Sequence, residues 1–155
     1  ANTDMCPACE ALLYAAARAQ HVSQVIRPAV ERGMLVLCDR FVDSSVAYQG
    51  GGRGLGVETV QQINDPAVDG MTPDATLYLA IDHREALRRR LSASEPDRLE
   101  LEAGEFHERV QKAYERLVRD NRRRFVVVDA ARGVDEVARD ALDAVLERLL
   151  PDRRA

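Results

Sequence analysis

The stretch that most limits what this chain can fold into runs from Leu35 to Gly50. An apolar run, Leu35-Val36-Leu37-Cys38, stops abruptly at Asp39-Arg40. The polar Phe41-Val42-Asp43-Ser44-Ser45-Val46-Ala47-Tyr48-Gln49-Gly50 and the glycine-rich Gly51-Gly52-Arg53-Gly54-Leu55-Gly56 follow. A buried parallel strand delivers functional groups in this way at its C-terminal edge, where open α/β sheets bind ligands. The pattern predicts a strand over 34–38 with Asp39 and Arg40 at its tip. Ser44, Ser45, Tyr48 and Gln49 would line the polar loop beyond it. Two readings of the tip stay open. Arg40 can grip a phosphate while Asp39 positions a hydrated metal or a nucleophilic oxygen, or the pair can be a structural salt bridge at a strand end.

Upstream, residues 8–32 read as one long helix. Leu12, Leu13, Ala16, Val22, Val25, Ile26, Ala29 and Val30 recur at helical spacing, Gly33 is a natural stop, and Pro28 is a source of a kink. Tyr14 and Arg18 share a face of that helix, with His21 one turn further on. An aromatic ring beside a guanidinium can hold a planar base, but an amphipathic helix with a snorkelling arginine explains the spacing more simply.

Downstream, Val57 to Ile63 reads as a helix that Asn64-Asp65-Pro66 disturbs. Ala75 to Ile81 is a second buried strand ending at Asp82, and Arg84 to Leu91 a short helix. Ser92 to Leu99 reads as a mobile segment. Glu102 to Asn121 is a long helix with Phe106, Val110, Tyr114, Leu117 and Val118 on its apolar stripe. Phe125 to Val128 is a third strand ending at Asp129, and Val134 to Leu150 a closing helix. Strands alternating with helices predict an α/β chain with a parallel sheet and flanking helices. Three strands are few for so many helices.

At 155 residues the chain suits a single domain over 1–155 with a sizeable core. Its net charge of −4 gives no basic field to attract nucleic acid. All but one of the 22 basic residues are arginine, the exception being Lys112. That bias fits bidentate recognition of anions and fits genome composition equally well. Three cysteines cannot all pair, and neither a secretory signal nor a membrane span is visible, so a reduced, cytoplasmic protein is expected. Cys6-Pro7-Ala8-Cys9 has the redox or zinc spacing, but no second ligand pair accompanies it and no strand precedes it.

Five of the nine glycines lie between Gly50 and Gly56. The phosphate-cradling P-loop, G-x-x-x-x-G-K-[ST], is absent there, and Lys112 lies mid-helix. These glycines read better as a turn that admits close backbone approach. Arg88, Arg89, Arg90 and Arg98 flank the mobile segment. Arginines on closing lids neutralise charge in phosphoryl transfer, although a solvated basic face is the commoner outcome of such runs.

Taken together, four segments resemble bacterial-type thymidylate kinases. They are Tyr14-Ala15-Ala16-Ala17-Arg18-Ala19-Gln20-His21-Val22, Asp39-Arg40-Phe41-x-x-Ser44-x-x-Ala47-Tyr48-Gln49-Gly50, Pro73-Asp74-Ala75-Thr76-Leu77-Tyr78-Leu79 and Asp97-Arg98-Leu99-Glu100. They come in the family's order and spacing, and the likeness runs from about Ala8 to the end. It implies a nucleoside monophosphate kinase-like, P-loop NTPase fold that transfers the γ-phosphate of ATP to dTMP with Mg²⁺. Residue by residue, it implies that Tyr14 stacks on thymine and that Arg18 hydrogen-bonds the base with Ser44 and Ser45 nearby. Arg40 would grip the dTMP phosphate, and Asp39 would lie near the metal. Tyr48 would sit against the deoxyribose, disfavouring a 2′-hydroxyl, with Gln49 beside it. Arg98 would join Asp39 and Arg40 in catalysis, and a lid-like segment at about 88–100 would bring Arg88, Arg89 and Arg90 to the ATP side. A homodimer is plausible for full-length members.

Two departures qualify the likeness. The family opens with a strand, a P-loop, a helix and a second strand, none of which this sequence contains. A partial fold lacking the first strands is therefore expected, an N-terminally truncated kinase domain with little activity alone. Its strands over 34–38 and 75–81 would expose edges and apolar faces. The lid arginine carried by some members is also missing from Leu91-Ser92-Ala93-Ser94. The rival reading is a non-catalytic dTMP-binding protein that has lost ATP chemistry.

Overall fold

The computed structural model describes residues 4–91, 102 and 104–149. The chain divides into two compact units, one drawn from Ala1–Thr72 and Asp97–Glu115 and the other from Pro73–Pro96 and Arg116–Ala155.

The first unit is helical. Helix α1 (Pro7–His21) runs into a π-helical turn (Val22–Ile26) and then α2 (Arg27–Glu31). The expected single helix is thus interrupted where Pro28 demands it. Pro28 has no N–H to give, and its ring crowds the carbonyl of Gln24. The wider turn absorbs this, with the Arg27 N–H donating to the Val22 carbonyl. Gly33, at φ 74°, ends the run by donating its N–H to the Val30 carbonyl at 2.8 Å.

The buried stripe also differs from the expected one. Ala11, Ala15, Val22, Ile26 and Ala29 are buried, whereas Leu12, Leu13, Val25 and Val30 are exposed. Small side chains at 11 and 15 suit close packing on α4 (Val57–Val68), against which α1 lies. Helix α4 itself runs through Pro66, where a break was expected. Pro66 has no N–H to donate back to the Gln62 carbonyl, and the helix closes within a turn of it, at Asp69 with φ 46°.

The predicted strand over 34–38 is not formed. Its residues adopt no regular structure, and Leu37 is 80% exposed. A strand exists through its ladder, and among the described residues this run has no neighbouring strand to pair with. Beyond it the expected polar loop is helical instead: α3 (Val42–Ser45) continues into a π-helical segment (Val46–Gly52). Its end lies close against α6 (Gly104–Asp120). A Cβ added at Gly51 would lie 2.6 Å from Ala113 Cβ, and one at Gly52 2.6 Å from Phe106 Cε2. These glycines serve close backbone approach, as their clustering suggested.

The second unit is α/β. Strands β1 (Thr76–Ala80) and β2 (Phe125–Asp129) pair in parallel with Thr76 opposite Phe125 and Ala80 opposite Asp129. Helix α5 (His83–Leu91) follows β1, and α7 (Val134–Leu149) follows β2 and packs on it. Asp82 caps α5, its Oδ1 accepting from the N–H groups of Arg84 and Glu85 at 3.0 and 3.3 Å. The α/β class and the parallel pairing are as expected, with two strands in place of three. Leu79 and Val127 are exposed on this small sheet. No described helix is long and apolar enough to cross a membrane.

Candidate functional site

The predicted acceptor residues all belong to the first unit, and the helical path of 41–52 decides how they meet. Arg18, on α1, reaches across to α3. Its Nη2 donates to Ser45 Oγ at 2.9 Å and to the Phe41 carbonyl at 3.2 Å, and its Nη1 donates to Asn64 Oδ1 on α4. The guanidinium carbon lies 5.4 Å from the Phe41 ring centroid. Among the described residues three acceptors hold Arg18 and none of them carries a charge. Burial pushes its pKa down, with Cys38 opposing, yet a guanidinium stays protonated at any working pH. A half-buried, uncompensated cation results, suited to a polar or anionic ligand.

Arg40 and the π-helical segment form a second cluster. Arg40 has φ 58°, a left-handed conformation unusual for a side chain of its size and common at functional sites. Its guanidinium lies 5.1 Å from the Tyr48 ring centroid. Tyr48 in turn meets Phe106 and Tyr114 edge-on, with centroids 6.1 and 6.4 Å apart. Ser44 Oγ and the Tyr114 hydroxyl are 2.7 Å apart. Burial pushes the Tyr114 phenol up to about 12, against the opposing Ser44 hydrogen bond. Arg40, Ser44 and Tyr48 therefore share one aromatic-walled neighbourhood.

The other predicted residues are placed differently. Tyr14 stands on α1 one turn before Arg18 and is 43% exposed. Gln49 is buried, its Nε2 donating to Glu10 Oε1 at 2.9 Å. Asp39 is exposed beside Arg40. In the second unit Arg88 Nη2 and Arg89 Nε pair with Glu85 at 2.6 and 2.9 Å. Arg89 also donates to the carbonyls of Ala130 and Ala131 at 2.9 and 2.7 Å, which ties α5 to the turn after β2. The Arg90 side chain and Arg98 lie outside the described residues, as does the segment 92–99. The three cysteines are free and exposed.

A magnesium site fits this arrangement only in one form. Among the described residues no three of His, Cys, Asp and Glu cluster to hold a metal. Mg²⁺ is commonly bound by one or two carboxylates with water and substrate phosphates completing the shell. Asp39, solvent-exposed next to an arginine, suits that role.

Four contacts escaped the sequence reading: Glu10, the Phe41 carbonyl and ring, Asn64 and Tyr114. Only Asn64 left a usable signal, because Val60, Asn64 and Ala67 fall on one helical face and a polar group on a buried face needs a partner.

Known proteins carry the same pattern. A sequence model of the family described as thymidylate kinase matches residues 1–141. The chain is 46% identical over 150 residues to the thymidylate kinase of Bacillus pumilus (strain SAFR-032), covering 96% of this chain and 71% of that protein. It is 48% identical over 154 residues to that of Geobacillus thermodenitrificans (strain NG80-2), covering 98% and 68%. It is 50% identical over 148 residues to that of Pelotomaculum thermopropionicum (strain DSM 13744 / JCM 10971 / SI), covering 94% and 68%.

The chain belongs to the thymidylate kinase family. It is a homologue of the bacterial type, and it spans about 70% of the length of these relatives. Membership supports phosphotransfer of the thymidylate kinase kind and nucleotide- and magnesium-dependent chemistry at the level of the family. Of the signature residues, Arg18, Arg40, Phe41, Ser44 and Tyr48 fall in the two clusters of the first unit.

Proposed function

We propose that the first unit is the nucleotide-acceptor side of a kinase that phosphorylates dTMP to dTDP with ATP. The observation that carries this reading is Arg18, a half-buried cation whose acceptors among the described residues are all neutral. Such a group keeps its charge and two of its five N–H donors for a ligand. Thymine offers carbonyl acceptors to those donors. Tyr14, exposed on the same helix, stacks on the base.

Arg40 takes the 5′-phosphate, which its guanidinium can meet with paired hydrogen bonds. Tyr48, braced by Phe106 and Tyr114, closes off space beside the sugar and leaves no room for a 2′-hydroxyl. In the reaction a phosphate oxygen of dTMP attacks the γ-phosphorus of ATP, the bond to the bridging oxygen breaks, and ADP leaves. Asp39 would hold a hydrated Mg²⁺, which would supply neutralisation of charge on the transferred group, and Arg40 holds the attacking phosphate. Arg88, Arg89, Arg90 and Arg98 belong to the ATP side.

The direct test is isothermal titration of the chain with dTMP, alongside Arg40→Ala. Saturable binding of dTMP that Arg40→Ala weakens at least tenfold is expected. No binding, or equal binding by the variant, would remove this reading. Phosphate transfer, followed as ADP release with dTMP, ATP and Mg²⁺, separates the kinase from a protein that binds dTMP without acting on it.

A further inference from the structure

Asn64 is no part of the thymidylate kinase signature quoted above, yet it is what Arg18 meets on α4. It is 1% exposed, and its two amide atoms have separate partners. Nδ2 donates to the Val60 carbonyl at 2.7 Å, and Oδ1 accepts from Arg18 Nη1. A carbonyl only accepts and a guanidinium only donates, so these two neighbours fix which way the amide faces. A flipped amide would set nitrogen against guanidinium and oxygen against carbonyl. Ser45, the other side-chain partner, offers a hydroxyl that can rotate. Asn64 is the stiffer support, and it alone bonds Nη1, since Phe41 and Ser45 both take Nη2.

We propose that Asn64 is a positioning residue for base recognition, holding the plane of the Arg18 guanidinium so that its remaining donors meet the 4-carbonyl of a thymine ring. This rests on the dTMP reading above. Thymine presents an acceptor at that position, where cytosine presents an amino donor. Both rings carry a 2-carbonyl. A guanidinium held in one plane therefore discriminates between them, whereas one free to tilt finds the shared 2-carbonyl and discriminates less. Asn64 acts on specificity through Arg18 without touching the nucleotide.

Isothermal titration of dTMP and dCMP onto the full chain and three variants tests this. Wild type should prefer dTMP. Asn64→Leu, close in volume but without an acceptor, should lose about tenfold in dTMP affinity, the scale of one hydrogen bond to a charged group, with dCMP unchanged. Asn64→Asp keeps an oxygen towards Arg18 but gives up the donor to the Val60 carbonyl and neutralises the guanidinium, so it should bind both nucleotides more weakly while retaining the preference for dTMP. If Asn64→Leu does not fold, Asn64→Ser, too short to span to Arg18, carries the same expectation. An equal loss for both nucleotides in Asn64→Leu or Asn64→Ser, or an unchanged ratio there, would overturn the proposal and leave the dTMP reading standing. A wild-type chain that binds no dTMP removes both.

Discussion

Arg18 and Arg53 belong to the same unit, both lie over an aromatic ring, and they are held in opposite ways. Arg53 sits 4.9 Å from the Phe106 centroid, with Nη1 2.6 Å from Glu102 Oε1 and Nη2 3.3 Å from Glu10 Oε2. Two carboxylates neutralise it. Burial alone lowers its pKa, but the hydrogen bonds and charges of Glu102 and Glu10 outweigh burial and the net direction is up. Among the described residues Arg18 has only neutral acceptors, and its direction is down. Neither guanidinium loses its proton, so the opposite signs report how well each charge is compensated. Arg53 is a cross-link between α1, the end of the π-helical segment and Glu102. Arg18 is a cation among neutral acceptors, the arrangement on which its proposed role rests.

The contrast breaks most visibly at Glu10, which is 2% exposed and serves both Arg53 and Gln49. Glu10→Ala leaves Arg53 half-compensated and the buried Gln49 amide without its acceptor. A loss of about 3 kcal/mol is expected, as for a buried pair deprived of one partner, and urea unfolding followed by circular dichroism measures it. A change under about 0.5 kcal/mol would mean that water replaces the carboxylate and that Arg53 is no cross-link.

Arg18→Met should cost binding as well as stability. The variant leaves the buried Asn64 Oδ1 without its donor, so stability should fall by about 2 kcal/mol, less than at Glu10. The affinity for dTMP should fall by about 2 kcal/mol or more, on the scale of hydrogen bonds to a charged group. If stability suffers more than binding, Arg18 is the structural arginine and the distinction drawn here fails.

The smallest expected effect sharpens the aromatic cluster. The Tyr114 phenol is raised from 10.0 to about 12 by burial. A folded-state pKa above the unfolded one contributes stability that is complete below the unfolded value and is lost as pH climbs to the folded one. Stability should therefore decline between about pH 10 and 12 through this group, and Tyr114→Phe should flatten that decline. Ultraviolet titration should show a tyrosine transition near pH 12 that Tyr114→Phe removes. The absence of that transition would contradict the enclosed environment described for Tyr114. At neutral pH the same variant should cost about 1 kcal/mol through the Ser44 hydrogen bond.

Much of the second unit was legible from local pattern. The apolar runs at 76–80 and 125–129 and the helices after them follow from periodicity and capping residues such as Asp82, all short-range properties. The first unit was read less well, for reasons that are not local. The run at 34–38 has a strand's composition but no ladder among the described residues, and composition cannot supply the partner. The stretch 42–52 looks like a loop because its glycines and serines favour turns. It is helical in the structure, and at Gly51 and Gly52 Phe106, Val110 and Ala113 leave space only for a backbone without a side chain. The leucines at 12 and 13 suggested the buried face of α1, which tight packing on α4 gave to the alanines at 11 and 15.

Residue chemistry and spacing pointed to Asp39, Arg40, Ser44, Ser45, Tyr48 and Gln49 as candidates, since a motif is a one-dimensional object. They left Tyr14 and Arg18 more simply explained as the face of an amphipathic helix. Whether an arginine is compensated depends on groups brought from elsewhere in the sequence. Asn64 lies 46 positions from Arg18, and Tyr114 lies 70 from Ser44. Those pairings arise from helix packing, which no local pattern encodes. Tertiary structure alone assigned Arg53 to the scaffold, left Arg18 charged and accessible, and put Asn64 behind it.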